Sequence, residues 1–161
     1  MKLLVVCMGN ICRSPMAQAV LPRHTQQGGM TGVQVDSAGT IVSHSGELPD
    51  PRGRAALQRR GYEPPRHRAR RIAAKDFVRQ DLILAMDRQN MAALRDLCPA
   101  DHAHKLRLFL DFAPGFEGQD MPDPYFGDAA GFERVLDLCE AGARGLVDAL
   151  RAGRLQATAE R

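Results

Sequence analysis

The chain has 161 residues, of which 44% are hydrophobic and 25% are charged. This length and composition predict one globular domain with a real core rather than a disordered chain. A formal net charge of +3 is too small to predict a nucleic-acid-binding surface, and the sequence lacks the run of roughly 18 apolar residues that crosses a membrane.

Strands and helices alternate along the sequence. The strands are predicted at Lys2–Val6, Val33–Ser37, Asp81–Met86 and Lys105–Leu110. The helices are predicted near Pro15–Gln27, Asp50–Arg60, Arg88–Leu97 and Ala129–Arg151. Alternation with unbroken apolar strands predicts an α/β fold, in which a four-stranded parallel sheet carries helices on both faces in a flavodoxin-like, doubly wound arrangement. We expect the domain to occupy residues 1–152 and residues 153–161 to form a polar C-terminal tail.

The most informative segment follows the first predicted strand and reads Cys7-Met8-Gly9-Asn10-Ile11-Cys12-Arg13-Ser14-Pro15. Pro15 suits the first position of a helix, with Ser14 as its N-cap. The intervening residues must then form a tight strand-to-helix loop, whose free backbone N–H groups can converge on an oxyanion. In a doubly wound fold, ligands bind at this carboxyl end of the strands.

The residue types in this loop suit phosphate chemistry. The start of a helix and the charge of Arg13 both favour the thiolate form of Cys7, which is the nucleophilic form. The planar guanidinium of Arg13 matches two oxygens of a phosphate, and the Ser14 hydroxyl can bond the sulfur. Alone, Cys7 would be read as a core residue and Arg13 as a surface charge, but their combination favours a nucleophile with an anion-binding loop.

The four cysteines do not form a recognisable metal or disulfide pattern. Cys7, Cys12, Cys98 and Cys139 are unevenly spaced and include no Cys-x-x-Cys pair, so we expect neither a zinc site nor a secreted disulfide framework. The N-terminus is also a poor match to a signal peptide. We therefore expect a cytoplasmic protein, with Cys98 and Cys139 in structural positions.

A long segment without clear periodicity, residues 111–128, is rich in acidic side chains. Such a segment within a compact domain is often a functional loop, and cleavage of a phosphate ester needs a general acid. Asp111, Glu117, Asp120, Asp123 and Asp128 are all candidates, and the residues alone do not choose among them.

The chain resembles the low-molecular-weight protein tyrosine phosphatases over nearly its whole length. The resemblance rests on the loop Cys7–Ser14 and on matching stretches elsewhere. These stretches are Asp36-Ser37-Ala38-Gly39-Thr40, Pro49-Asp50-Pro51-Arg52, His67-Arg68-Ala69-Arg70, Leu84-Ala85-Met86-Asp87 and Asp123-Pro124-Tyr125-Phe126.

The resemblance implies hydrolysis of phosphotyrosine in proteins through a phosphocysteine intermediate, with inorganic phosphate as product and no cofactor or metal. It implies Cys7 as nucleophile, Arg13 as phosphate ligand and Asp123 as general acid. The phosphate- and substrate-binding residues would be Met8, Gly9, Asn10, Ile11, Cys12, Arg13, Ser14, Tyr125 and Phe126. Ser37 and His67 would support the loop together with Asn10 and Ser14.

Three further points bear on specificity and regulation. Ile11 matches the tyrosine phosphatases, whereas the related arginine phosphatases carry Thr there. Cys12 would form a reversible disulfide with Cys7 that protects the nucleophile from overoxidation, although a buried structural role for Cys12 stays equally open. Relatives often carry an aromatic wall near Ser43, which the stretch Ile41-Val42-Ser43-His44-Ser45 lacks, so we expect weaker stacking on that side. His44 could contact the substrate, although a solvated loop histidine is the favoured interpretation.

Three alternative functions have less support from the sequence. An arsenate reductase shares this scaffold but needs a relay of further thiols, and residues 82–97 contain none. A non-catalytic phosphate-binding protein would be expected to lack the nucleophile or the acid. A nucleotide-binding P-loop is excluded because Gly9 is not followed by Gly-Lys-Ser/Thr.

Overall fold

Four parallel strands form the centre of the fold. In a computed structural model, which describes residues 1–41 and 43–155, they are β1 (Lys2–Cys7), β2 (Gln34–Gly39), β3 (Leu82–Ala85) and β4 (Leu106–Leu108). Their order in the sheet is β2-β1-β3-β4, and every neighbouring pair is parallel. This is the flavodoxin-like order predicted from the sequence, with its switch point at β1.

Among the residues that the structure describes, five α-helices surround the sheet. They are α1 (Arg13–Gln27), α2 (Pro51–Arg59), α3 (Ala74–Arg79), α4 (Arg88–Leu97) and α5 (Ala129–Arg151). The predicted bounds of α4 and α5 are confirmed. The predicted helix 50–60 also forms, with Asp50 as its N-cap because its carboxylate accepts a hydrogen bond from the Arg52 N–H.

Alternate side chains of β1 build the two faces of the core. Leu3 and Val5 pack with residues of α1 and α5, such as Val20 and Leu136. Leu4 and Val6 face the opposite way and pack with Phe77 of α3 and Leu94 of α4. A strand buried on both faces must be apolar at every position, which explains the uninterrupted hydrophobic run.

Several sequence-based boundaries were wrong; for example, β2 ends at Gly39 rather than at Ser37. The first helix begins at Arg13 rather than Pro15, with Cys12 at the N-cap position. The predicted strand 105–110 is shorter, because 3-10 turns at Ala100–Lys105 and Phe109–Phe112 flank β4. The six-residue helix α3 was not predicted, since it begins after Ala73, which has no capping side chain.

The structure describes the C-terminal end of the chain as far as residue 155. Helix α5 ends at Arg151, just before the predicted start of the tail at residue 153. Residues 156–161 of that tail lie outside the described residues, so the division at 152 stays a prediction. Within the described part of the chain, no helix combines the length and apolar character needed to cross a lipid bilayer.

Candidate active site

The loop 8–12 joins the end of β1 to the start of α1 and folds around the sulfur of Cys7. Asn10 lies in the left-handed region, with φ of 58°, which Asn tolerates better than most residues. Its backbone N–H donates to Cys7 Sγ at 3.3 Å. The loop thus aims an N–H group at the predicted nucleophile, at the carboxyl end of the sheet.

Close approach between this loop and β2 requires a glycine. A Cβ placed on Gly39 would lie 2.6 Å from the carbonyl oxygen of Met8, a distance that backbone atoms cannot relieve without moving. That same carbonyl accepts hydrogen bonds from the N–H groups of Thr40 and Ile41. The end of β2 therefore fixes the first residue of the loop.

Cys7 is 2% exposed and packs with the apolar core, and it also lines a pocket. Its sulfur lies 3.0 Å from Ser14 Oγ. Ser14 was predicted to be an N-cap, and this was wrong because the helix already begins at Arg13. Its hydroxyl is instead turned toward the sulfur and the side chain of Asn10.

The side chain of Asn10 is the centre of a buried polar network. Its amide donates to Ser14 Oγ and Ser37 Oγ, both at 2.9 Å. Its carbonyl oxygen accepts from His67 Nε2 at 2.7 Å and from the Arg70 N–H at 3.0 Å. The structure therefore brings together all four predicted supporting side chains and satisfies every hydrogen-bonding group of the Asn10 amide.

The directions of these hydrogen bonds follow from the donors available. Ser37 Oγ accepts from Asn10 and donates to Gln18 Oε1 at 2.6 Å. Ser14 Oγ likewise accepts from Asn10, which leaves its only proton to donate to Cys7 Sγ. The network thus ends in a hydroxyl proton directed at the sulfur.

Burial lowers the pKa of His67 below its ordinary value, and Asp36 opposes this shift from 3.7 Å. Because Nε2 must carry a proton to donate to Asn10, the neutral ring is held in one tautomer. The predicted role of His67 as a supporting residue is compatible with this position.

Arg13 is buried at the start of α1, with 2% of its side chain exposed. One terminal nitrogen lies 2.6 Å from Asp87 Oδ2 and donates to the Met121 carbonyl at 3.1 Å. Burial opposes the charge, but Cys7, Asp87 and Asp123 outweigh that cost and raise the pKa of Arg13 above its ordinary value. The guanidinium is therefore oriented and remains a cation.

Asp87 is a site residue whose role the sequence reasoning missed. It follows β3, caps the N-terminus of α4 through the Asn90 N–H at 2.6 Å, and pairs with Arg13 through its other oxygen. An acidic residue at a strand-to-helix junction on the same sheet edge as Cys7 was the available signal.

Asp123 lies on the irregular segment that leads into α5. Its Oδ2 is 3.6 Å from Arg13, and its Oδ1 accepts from the Tyr125 N–H at 3.1 Å. In contrast to Arg13, 45% of its side chain is exposed. Among the five acidic candidates, Asp123 is the one that reaches the cavity of Cys7.

The cavity has a volume of about 220 Å³, and its residues come from the loop, from the segment after β2 and from the segment before α5. They are Cys7, Met8, Gly9, Ile11, Cys12, Arg13, Ile41, His44, Asp123, Tyr125 and Phe126. Sulfur and guanidinium thus share one cavity with the carboxylate and with an apolar and aromatic rim.

The structure brings most, but not all, of the predicted binding residues to the cavity wall. Asn10 and Ser14 are buried behind it and hold the loop. Phe126 is 96% exposed at the rim and packs edge-on against Tyr125, with ring centroids 4.8 Å apart.

His44 occupies the side where an aromatic wall was expected to be missing. Its ring approaches Gly9, where an added Cβ would lie 2.9 Å from Cδ2. The ring centroid is 5.8 Å from that of Tyr125, and Nδ1 bonds Glu47 at 2.7 Å. His44 is thus partly exposed, with 26% of its side chain accessible, and it also lines the cavity. Val42, in the same stretch, lies outside the described residues.

Cys12 lines the same cavity as Cys7 and is 5% exposed. Burial, followed by the charge of Asp50, raises the pKa of Cys12 to about 12. At neutral pH Cys12 is therefore a thiol. Both cysteines are free in the structure.

Comparisons with known proteins agree with this geometry. Residues 2–156 match the family model described as low molecular weight phosphotyrosine protein phosphatase. A low molecular weight protein-tyrosine-phosphatase of Streptomyces coelicolor is 44% identical over 150 residues, which cover 91% of each chain.

Two solved structures with similar folds are compared with this chain. The protein tyrosine phosphatase of Entamoeba histolytica, with Hepes in its active site, superimposes with a TM-score of 0.92 at 40% identity, covering 96% of this chain and 99% of the other. A Drosophila arginine phosphatase reaches 0.84 at 30% identity, covering 94% and 98%. Since a match along almost the entire chain accompanies identities of this size, the chain belongs to the low molecular weight phosphotyrosine protein phosphatase family.

Proposed function

We propose that this protein is a metal-independent phosphatase that hydrolyses phosphotyrosine in proteins through a phosphocysteine intermediate on Cys7. The observation that carries the proposal is the single cavity that Cys7, Arg13 and Asp123 share at the N-terminus of α1. A helix N-terminus and a buried guanidinium suit a phosphate dianion.

In the first step, the Cys7 thiolate attacks phosphorus, and a sulfur–phosphorus bond forms as the bond to the phenol oxygen breaks. Asp123 gives its proton to that oxygen. Arg13 and the loop N–H groups hold the other phosphate oxygens, so the protein contributes mainly positioning and electrostatic stabilisation. These groups supply the positive charge for which other phosphatases use metal ions.

In the second step, Asp123 accepts a proton from water as the water attacks phosphorus. The sulfur–phosphorus bond breaks, inorganic phosphate is released, and the electron pair returns to the sulfur. The Ser14 hydroxyl, 3.0 Å from the sulfur, stabilises the thiolate as it departs. Asp123 thus acts as acid and then as base.

The walls of the cavity favour an aromatic phosphoester. Ile11, His44 and Tyr125 line it and offer apolar and aromatic contacts to a phenol ring. The overall fold does not separate this activity from that of an arginine phosphatase, because both kinds of relative superimpose well. The proposal of phosphotyrosine rather than phosphoarginine as the substrate therefore rests on Ile11.

A thiol relay, as an arsenate reductase requires, has less support. Cys98 follows the last residue of α4, whose first turn is capped by Asp87 at the active site. Ten helical residues separate those two ends by roughly 15 Å. Cys139 is completely buried in α5, which raises the pKa of its thiol well above the ordinary value.

Cys12 is proposed as the partner of Cys7 under oxidation. A sulfenic acid on Cys7 would condense with the Cys12 thiol, giving a disulfide and water. Their shared cavity supports this pairing. Because the pKa of Cys12 is raised to about 12, its thiol must lose its proton as it attacks the sulfenic sulfur. A dithiol should restore activity after peroxide treatment of the wild type but not of Cys12→Ser; equal recovery of both would contradict the pairing.

The test of the proposed function is Cys7→Ser, with Cys98→Ser as the matched control. With a radiolabelled aryl phosphate and acid quenching, the wild type should carry label on Cys7 in the presence of a chelator. Cys7→Ser should lose the label and lose about 10⁴-fold or more in kcat. Cys98→Ser should keep both. Substantial turnover by Cys7→Ser would refute the proposal.

A further inference from the structure

The backbone that carries Asp123 has few attachments to the rest of the protein. Residues 122–127 form no strand or helix, and the hydrogen bonds of Tyr125 N and Gly127 N stay within the segment. On the upstream side, Met121 is fixed by its N–H to the Met86 carbonyl and by its carbonyl to Arg13. Something else must hold the downstream side.

The Arg52 guanidinium provides the downstream attachment. Its two terminal nitrogens donate to the carbonyl oxygens of Tyr125, at 2.9 Å, and Gly127, at 3.2 Å. Within the part of the chain that the structure describes, no other side chain outside the segment donates to the backbone of residues 122–127. Asp123 therefore lies between one attachment at Met121 and one made by Arg52.

Arg52 is itself held in a fixed orientation. Its Nε and one terminal nitrogen contact the two oxygens of Asp50 at 3.1 and 3.0 Å. The guanidinium also lies 4.7 Å from the ring centroid of the buried Phe132. This hydrogen-bonded pairing holds the pKa of the Asp50 carboxyl below its usual range, so the pair is ionised wherever the enzyme would operate.

The Asp50–Arg52 pair connects the two halves of the site. The Asp50 N–H donates to the carbonyl of Ile11, in the loop around Cys7, at 2.8 Å. One short chain of contacts thus runs from that loop through Asp50 and Arg52 to the segment that carries Asp123. Arg52 does not line the cavity, so any influence on the reaction acts through the groups it holds.

We propose that Arg52 is a positioning residue that fixes the carboxyl group of Asp123 relative to the sulfur of Cys7. The inference rests on the proposed function, in which Asp123 protonates the leaving phenol. Because the requirement for a proton grows as the leaving group becomes more basic, loss of Arg52 should harm substrates with poor leaving groups most and should spare phosphate binding.

The experiment compares Arg52→Ala with the control Arg59→Ala. Arg59 lies on the same helix, is exposed and pairs with Glu133 on α5 rather than with the segment 122–127. The measurements are kcat/KM for phenyl phosphate and nitrophenyl phosphate, inhibition by inorganic phosphate, and the melting temperature. The kcat/KM value is used because it reports the step in which the phenol leaves.

For Arg52→Ala, we expect kcat/KM to fall about tenfold with phenyl phosphate and about twofold with nitrophenyl phosphate, a difference of the size that displaced catalytic groups produce. Phosphate inhibition should stay within about twofold, and Arg59→Ala should match the wild type. Equal losses with both substrates, or no loss at all, would overturn the proposal. An inactive wild type would instead refute the proposed function.

A double variant separates positioning from a general effect on folding. In an Asp123→Asn background there is no acid to position, so adding Arg52→Ala should lower kcat/KM for phenyl phosphate by less than about twofold. If Arg52→Ala lowers kcat/KM for phenyl phosphate by the same factor in the wild type and in Asp123→Asn, then Arg52 acts independently of Asp123, and the inference is wrong. Arg52→Lys, which keeps the charge without the fork, should fall between the wild type and Arg52→Ala.

Discussion

The two halves of the candidate site are built in opposite ways. The loop that holds the sulfur is buried, and the amide of Asn10 is fully hydrogen-bonded within it. The segment that carries Asp123 is irregular, half-exposed and attached by few contacts. In the proposed mechanism, the phosphate-binding half presents the same donors in every turnover, whereas the acid reaches a leaving group and later meets water. Fixed geometry suits the first task, and solvent access suits the second.

Arg13→Lys tests the buried half, and we expect it to reduce activity more than Asp123→Asn does. Lys keeps the charge but cannot bind two phosphate oxygens with the geometry of a guanidinium while also bonding Asp87 and the Met121 carbonyl. We expect kcat for an aryl phosphate to fall about 10²–10³-fold, the cost of losing one oriented donor from such a site. Steady-state kinetics checks this, and a loss below tenfold would show that charge alone suffices.

Asp123→Asn tests the exposed half. We expect kcat/KM to fall about 10²-fold with phenyl phosphate and less than tenfold with nitrophenyl phosphate, which has a better leaving group. Since the Asp123 side chain is half-exposed, the substitution should change the protein's free energy of unfolding by no more than about 0.5 kcal/mol. A uniform loss across leaving groups would remove Asp123 from the role of general acid.

Asn10→Ala should show the contrast in stability. The substitution leaves Ser14, Ser37 and His67 without their shared partner and places Ala at a left-handed φ. Buried groups left unsatisfied cost about 1–3 kcal/mol each when they do not relax, so we expect a total loss of about 2–4 kcal/mol. Urea unfolding measures it. A loss similar to that of Asp123→Asn would mean that the network contributes little to the rigidity of the loop.

The smallest effect concerns pH. Because burial lowers the pKa of His67 below 6.5 in the folded state, the neutral ring stabilises the fold fully above pH 6.5, and this contribution is lost as pH falls through the folded-state pKa. The free energy of unfolding should therefore drop more between pH 7.5 and pH 5 in the wild type than in His67→Gln. Parallel curves would show that His67 does not couple the loop to pH.

Local rules explain which elements were predicted correctly and which were not. Helix α5 was predicted with its observed bounds because its apolar residues keep one spacing over 23 positions and Asp128 caps its start. The start of α1 was misplaced because Ser14 looks like a cap, whereas its hydroxyl bonds the sulfur and Asn10 instead. Helix α3 was missed because it has only six residues and begins after Ala73, which has no capping side chain.

The sequence by itself determined the parallel α/β fold and the placement of a cysteine and an arginine around a strand-to-helix loop, because apolar periodicity and the residue types of a phosphate-binding loop are local properties. Only the tertiary structure decided that Asp87 orients Arg13, that His44 forms a wall of the cavity and that Arg52 holds the segment bearing Asp123. These contacts join residues 35 to 75 positions apart. No local pattern records such pairs, since they arise only where the folded sheet brings separate loops to one edge.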